Sequence, residues 1–320
     1  MPKKTIIIQH NGGQLCNQLL SFINIYAYSL EQGYSCENYS FFEYYQYFNI
    51  PIKNRIIYFL FFKLFSFLNF LLPFKIARKI VRFFYNFFVA FIRFFKREQV
   101  VYSGNSMPNS GPYCLSPSKE TEKQILALEN KNIDTIYFDG WLFRNPVGLK
   151  KYHNQIRQYF QPRKIYWEKV NSLIFDLRQR YDYLIGVHIR QNVSEDGPPR
   201  SSGEKIDFIY KKDMDLVYQT LKNYLLKFKK EPSKTCFLVC SNKKIDTSSF
   251  KDLNIVVNDG NLIEDLFVLS KTDTIIGCKS TFGMFASYYG NIPLIMFEKN
   301  INWDDYIDKK KYLDHEKINC

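Results

Sequence analysis

Between residues 183 and 297 short apolar runs alternate with stretches of helical periodicity, and this alternation constrains the fold more than any other feature of the chain. The run at 183–190 (YLIGVHIR) sets Leu184, Ile185, Val187 and Ile189 around the small Gly186 and reads as a buried parallel strand. Further strands are expected at 235–240, 254–257, 273–277 and 292–297, with helices at about 211–228, at 262–270 and after Ser280. Strands separated by helices pair in parallel through right-handed crossovers, so this half should be a Rossmann-like domain.

The first half opens the same way. A β-branched run at 5–9 (TIIIQ) leads through the loop HNGGQLCNQ into a helical pattern carried by Leu19, Leu20, Phe22, Ile23, Tyr26, Ala27 and Leu30. Gly12 and Gly13 allow a tight turn and a close backbone approach to a ligand. The loop is not a G-x-G-x-x-G fingerprint, and no G-K-[ST] occurs anywhere, so a nucleoside-triphosphate loop is excluded. Residues 101–120 read as loop, 134–140 as a strand, and 154–180 as helix broken at Pro162. The expected architecture is α/β: two Rossmann-like domains facing across a cleft, an N-terminal one over 1–165 and a C-terminal one over 166–320.

The charge is unevenly placed. Of a net +13, residues 53–98 alone carry ten Lys or Arg against one acid, Glu98. Residues 56–74 are almost wholly apolar but are broken by Lys63, Ser66, Asn69 and Pro73, which falls short of a spanning helix of about 20 apolar residues. Beyond them, Lys75, Arg78, Lys79, Arg82, Asn86, Arg93 and Arg97 follow a helical stripe among Ile76, Ile80 and six phenylalanines. A helical insertion at 56–97 with one cationic and one Phe-rich face is what lies in the plane of an anionic membrane surface; the alternative is an aromatic amphipathic helix packed on the protein's own core. Seven dispersed cysteines and an N-terminus without a long apolar run suggest reduced thiols and a cytoplasmic protein, peripheral on the inner face of the membrane. Nucleic acid is not an expected partner, since the charges interleave with phenylalanine and no nucleic-acid fold is evident.

Three strand ends in the second half carry polar groups that can converge, because ligands of open α/β sheets bind beyond the carboxyl ends of the strands. They are His188 and Arg190, then Ser241 and Asn242, then Lys279, Ser280 and Thr281. Arg190 is a permanent forked cation suited to phosphate. Ser280 and Thr281 open a helix whose free N–H groups and dipole favour an anion, although Ser280 is equally suited to simple N-capping. Asp213-Met214-Asp215 has the form of a D-x-D metal motif but lies within a helical pattern, so it reads as helix-surface charge and no metal site is expected.

Three stretches, taken together, resemble a known family. The segment 12–19 (GGQLCNQL) resembles the G-G-x-G-N-Q motif of bacterial α-1,2-fucosyltransferases. His188-Ile189-Arg190-Gln191 is similar to the H-x-R-R motif of the α-1,2, α-1,6 and protein O-fucosyltransferases, and 264–282 resembles their D-L-x-x-x-S…S-T-F block. The resemblance implies a GT-B type glycosyltransferase with GDP-fucose as donor. It places His188 and Asp265 on guanine, Arg190 on the β-phosphate, Ser280 and Thr281 on the diphosphate, and Ser241 and Asn242 near the nucleotide. Gly12, Gly13, Asn17 and Gln18 would form the acceptor-side motif. It further implies inverting transfer of fucose to a sugar hydroxyl of a glycan or lipid-linked oligosaccharide in surface polysaccharide synthesis, with no cofactor and no metal.

The sequence departs from the family pattern at Gln191, where the second Arg is expected, at Val193, where an Asp often stands, and at Cys16 in place of the third glycine. These positions keep open a transferase for another nucleotide-activated sugar. A non-enzymatic peripheral membrane protein is the remaining alternative. Glu195, Asp196, Asp139 and His10 are the candidates for a general base.

Overall fold

The structure is a computed structural model. It describes residues 4–9, 13–51, 55–103, 119–129, 131–140, 143–191, 201–202, 205–206, 209, 213–298, 300–306, 311 and 313. The chain divides into two compact units, Met1–Pro162 with Glu316–Cys320, and Arg163–His315.

The first unit runs β1 (Thr5–Ile8), α1 (Leu15–Glu31), β2 (Ser35–Asn38), α2 (Arg55–Tyr58), a π-helical turn (Phe59–Lys63), α3 (Leu64–Leu71), α4 (Phe74–Phe95), β3 (Val100–Tyr102), α5 (Lys119–Glu129), β4 (Thr135–Asp139), α6 (Pro146–Lys151) and α7 (His153–Tyr159). Its four strands form one parallel sheet in the order β2-β1-β4-β3. The β-branched and aromatic residues of β1 and β4 leave Ile6, Ile8, Ile136 and Phe138 fully buried. Aromatic side chains fasten α1 to α7: the Phe22 ring meets Phe160 edge-on at 4.8 Å, and Tyr26 stacks on Tyr159 at 4.1 Å. The fully buried Phe22 and Phe160 rings each contribute about 1.5–3 kcal/mol by burial alone, and the pair somewhat more.

The segment between β2 and β3 is helical as expected, but α4 has three faces rather than two. Ala77, Val81, Tyr85, Val89 and Ile92 recur at steps of four and three and are buried, the first four in one cluster with Phe42, Phe61 and Phe65. At 100° per residue the cations occupy a second stripe and the phenylalanines 83, 84, 87, 91 and 94 a third. Four of these five buried residues are small or branched, while the phenylalanines of the third stripe face outward. The cationic stripe is also shared: Arg78 and Arg82 both pair with the buried carboxylate of Glu43, Arg78 at 3.0 Å, and Arg93 pairs with buried Asp139. A buried carboxylate left alone would be costly, so these arginines are drawn inward and hold the helix on the unit.

The second unit runs α8 (Lys164–Arg178), β5 (Tyr183–Ile189), the short antiparallel pair β6 (Ser201–Ser202) and β7 (Lys205–Ile206), α9 (Met214–Lys227), β8 (Thr235–Ser241), β9 (Asn254–Val257), α10 (Leu262–Leu269), β10 (Thr274–Gly277), α11 (Thr281–Gly290) and β11 (Leu294–Met296). Five parallel strands lie in the order β11-β10-β5-β8-β9. Taken from the other edge this is third, second, first, fourth, fifth in chain order, the arrangement of a Rossmann sheet. Its topological switch point falls between β5 and β10. Leu184, Ile185, Val187 and Ile189 are fully buried, which is why the central strand reads as a nearly unbroken apolar run. The fold is thus mixed α/β with parallel sheets, as the alternation implies.

Candidate functional site

The switch point of the second unit brings His188, at the end of β5, against the start of α11. In the parallel register His188 lies opposite Gly277 on β10 and Cys240 on β8. The pairing with β10 depends on glycine: a Cβ at 277 would come within 2.9 Å of the His188 Cβ and 3.0 Å of its carbonyl oxygen. Past Gly277 the chain turns at Cys278, whose N–H donates to the His188 carbonyl at 3.1 Å, and enters α11. Ser280 caps that helix, accepting from the Gly283 N–H at 3.4 Å, and its hydroxyl also lies 3.2 Å from His188 Nδ1. The ring of Phe282, the second residue of α11, stacks on the imidazole at 4.9 Å.

His188 is therefore fixed on two sides and only 8% exposed. Burial, and then the neighbouring Arg190 charge, lower its pKa to about 3, so the ring is neutral at any physiological pH. A neutral imidazole has one donor and one acceptor nitrogen, which suits reading a base edge and not holding phosphate charge. Arg190, two residues on, is exposed and carries the permanent charge. Its own N–H donates to the Cys278 thiol at 3.4 Å, which ties the end of β5 to the turn before α11. The first-turn N–H groups of α11, at Thr281, have no acceptor inside the helix and lie beside this cluster.

Asp265 lies on α10, in the first turn after an Asn261–Glu264 capping box. Its carboxylate accepts from Asn258 Nδ2 at 2.6 Å. Burial outweighs that hydrogen bond and raises its pKa to about 6. Asn258 is a partner that the motif comparison does not point to. Its signal in the sequence is an amide between the end of β9 and the cap of α10, where it can reach the first turn of the helix.

Ser241 and Asn242, at the end of β8, are both engaged with Gln191. The Gln191 backbone N–H donates to Asn242 Oδ1 at 2.7 Å, and Asn242 Nδ2 donates back to the Gln191 carbonyl at 3.1 Å. The Gln191 side-chain amide reaches Ser241 Oγ and the Lys244 carbonyl, each at 3.3 Å. The residue standing where a second Arg is expected is thus a neutral strap between the ends of β5 and β8. Asp213 is the N-cap residue of α9 and Asp215 lies in its first turn, which accounts for both acids by the helix dipole.

In the first unit the described part of the glycine loop is compact. Gly13 has φ +77°, and a Cβ there would come within 2.0 Å of Asn17 Nδ2. The Gly13 carbonyl accepts from Gln18 Nε2 at 3.4 Å and from Arg78 Nη2 of α4 at 2.7 Å. Gln18 is fully buried and Asn17 half-buried, so of these two Asn17 is the one turned toward the surface. Asp139 is 1% exposed and ion-paired with Arg93, so it holds α4 on the unit. Tyr85 donates to the Gln9 carbonyl just beyond β1. Arg78, Tyr85 and Arg93 are contributions of α4 that the stripe pattern alone does not indicate, because their partners lie far away in the chain. His10, Gly12, Glu195 and Asp196 lie outside the described residues.

Parallel α/β sheets of this kind match the fold of the GT-B fucosyltransferases. Two solved structures similar to this chain are an Arabidopsis thaliana FUT1 mutant in complex with GDP, at TM-score 0.52 and 13% identity over 91% of this chain and 70% of that one, and NodZ alpha-1,6-fucosyltransferase co-crystallized with GDP, at TM-score 0.50 and 14% identity over 89% and 92%. At that identity the likeness is one of fold. No protein-family profile and no curated protein matches the sequence.

Proposed function

We propose that the chain is a glycosyltransferase that moves fucose from GDP-fucose, with inversion, to a sugar hydroxyl of a glycan or lipid-linked oligosaccharide at the inner face of a membrane, in surface polysaccharide synthesis. An α-1,2 linkage is the reading that the motif at 12–19 favours. The observation that carries the proposal is the cluster at the switch point, where neutral His188 is held by Ser280 and Phe282, with Arg190 two residues away. The two solved neighbours named above were obtained with GDP, which supports a guanosine nucleotide as the ligand class.

On this reading His188 and Asp265 contact the guanine, and Arg190 with the start of α11 at Ser280 and Thr281 holds the diphosphate. The acceptor oxygen forms a bond to the anomeric carbon as the bond from that carbon to the β-phosphate oxygen breaks. GDP leaves with the electron pair, and the acceptor proton passes to a base or to water. Arg190 and the helix N-terminus oppose the charge that grows on the leaving oxygen, a preorganised electrostatic role that calls for no metal. Gly13, Asn17 and Gln18 form the acceptor-side motif.

Calorimetric titration against GDP-fucose, GDP-mannose, GDP, UDP-galactose and UDP tests the donor. Tight binding of GDP and GDP-fucose, abolished by Arg190→Ala, is expected; preference for a uridine nucleotide would refute the assignment. A second reading, with another GDP-sugar as donor, is favoured by one observation. Gln191 is neutral and is tied to Ser241 and Asn242, so a cation expected at that position is missing. In that case GDP-mannose outcompetes GDP-fucose in the same titration.

A further inference from the structure

The outward surface of α4 has a composition that burial does not explain. The helix is 22 residues long, about 33 Å at 1.5 Å per residue, and its buried stripe from Ala77 to Ile92 already satisfies packing on the unit. On the far side Phe83, Phe84, Phe87, Phe91, Phe94 and Phe95 are each more than half exposed, Phe94 to 79%. A soluble surface rarely leaves so continuous an apolar stripe to water. The neighbouring α3 adds Phe67 and Phe70, the latter 87% exposed.

The cations are placed in relation to this stripe. At 100° per residue they form a band that separates the buried face from the phenylalanines along one flank of α4, while on the other flank Phe84 and Phe95 run directly into the buried face. Within the band Arg78, Arg82 and Arg93 are turned inward onto Glu43 and Asp139. Lys75, Lys79, Lys96 and Arg97 remain exposed and have no acidic partner among the described residues. No described helix is long and apolar enough to cross a membrane.

We propose that α4, with the adjoining outer face of α3, is a docking surface for an anionic lipid bilayer, in which α4 lies parallel to the membrane plane. The phenylalanines enter the acyl boundary, while Lys75 and Lys79 on one edge of the helix and Lys96 and Arg97 just past its C-terminal end meet lipid phosphates. A second copy of this chain fits the surface less well, because joining two phenylalanine stripes also brings together two segments of 53–98, each carrying +9. The inference deepens the acceptor part of the proposed function and rests on that reading only in what it says about the acceptor. Because Arg78 of the same helix holds the Gly13 carbonyl, the bilayer contact lies on the element that braces the acceptor-side loop, so a lipid-anchored acceptor is the class that fits.

The test is co-sedimentation of the full chain with phosphatidylcholine vesicles and with vesicles containing 30% phosphatidylglycerol. Partitioning at least tenfold stronger onto the anionic vesicles is expected, weakening as salt is raised. Lys75→Glu, Lys79→Glu and Lys96→Glu together should remove that preference, since each charge near the surface is worth about fivefold in partitioning. Phe83→Ser, Phe87→Ser, Phe91→Ser and Phe94→Ser together should abolish binding to both, with the melting temperature and GDP titration of the wild type retained in each variant. Equal sedimentation of the wild type and the serine variant, or equal binding to both vesicle types, would overturn the proposal. So would a lipid-free dimer by light scattering that the serine variant dissolves, because a second copy would then cover the face. Failure here leaves the GDP titration unaffected, so the two readings fail separately.

Discussion

His188 Nδ1 and the hydroxyl of Ser280 lie 3.2 Å apart, although 92 residues separate them in the chain. Their meeting depends on how closely β5 and β10 approach, and Gly277 sets that approach. Gly277→Ala forces a methyl group against the His188 backbone, at an expected cost of about 1–3 kcal/mol in thermal or denaturant unfolding. The same displacement moves His188 away from Ser280 and Phe282, so GDP affinity should fall more than stability alone predicts.

Donor binding should weaken in acid. Asp265 in the folded protein has a pKa of about 6, above the usual 3.8 because it is buried. If its carboxylate accepts hydrogen bonds from the base, the KM for the nucleotide sugar rises as pH falls below about 6, by up to about tenfold per pH unit. Asp265→Asn should bind more weakly and lose that dependence. His188, at about 3, contributes no pH dependence between 5 and 8. For folding, the raised pKa means that the native state holds the proton more tightly than the unfolded chain. This contribution to stability is complete below 3.8 and is lost as pH rises through about 6, which a series of melts in Asp265→Asn and wild type would show.

Glu43 is the anchor of α4. Glu43→Gln removes both arginine pairs while preserving shape, and a loss of about 1–3 kcal/mol is expected, since Arg78 and Arg82 keep partial access to water. Hydrogen exchange should rise along α4 and at Gly13–Gln18, and remain unchanged in β5, β8 and β10.

Gln191→Ala cuts the side-chain half of the strap between β5 and β8 but leaves both backbone bonds to Asn242. A loss of about 1 kcal/mol in stability is expected. Gln191→Arg supplies the missing cation, and tighter binding of GDP than in the wild type, read by titration, would show that position 191 faces the diphosphate.

The second unit is largely readable from its residues because a strand buried on both faces must be apolar throughout, as in the runs at 184–189 and 235–240, whereas the half-buried edge strand at 254–257 is marked by its β-branched residues. Its sheet order, and hence the switch point, follows from crossover rules only once the strand neighbours are known. The polar ends of β5 and β10 were visible as residue types, but the contact of Phe282 with His188 and the strap at Gln191 arise from three-dimensional neighbours. In α4 the obvious signals were phenylalanine and charge, whereas the residues that pack are Ala77, Val81 and Val89, which stand out in no compositional measure. Which arginines turn inward is decided by Glu43 and Asp139, neither of which belongs to the helix.

The double duty of α4 bears on how the protein can be handled in the laboratory. Excising 56–97 to obtain a more tractable protein would also remove Arg78, Arg82, Tyr85 and Arg93, stranding two interior carboxylates and releasing Gly13 and Gln9. A crystallisation variant is better made by recolouring: polar residues at 83, 87, 91 and 94, with every inward-facing side chain of the helix left in place.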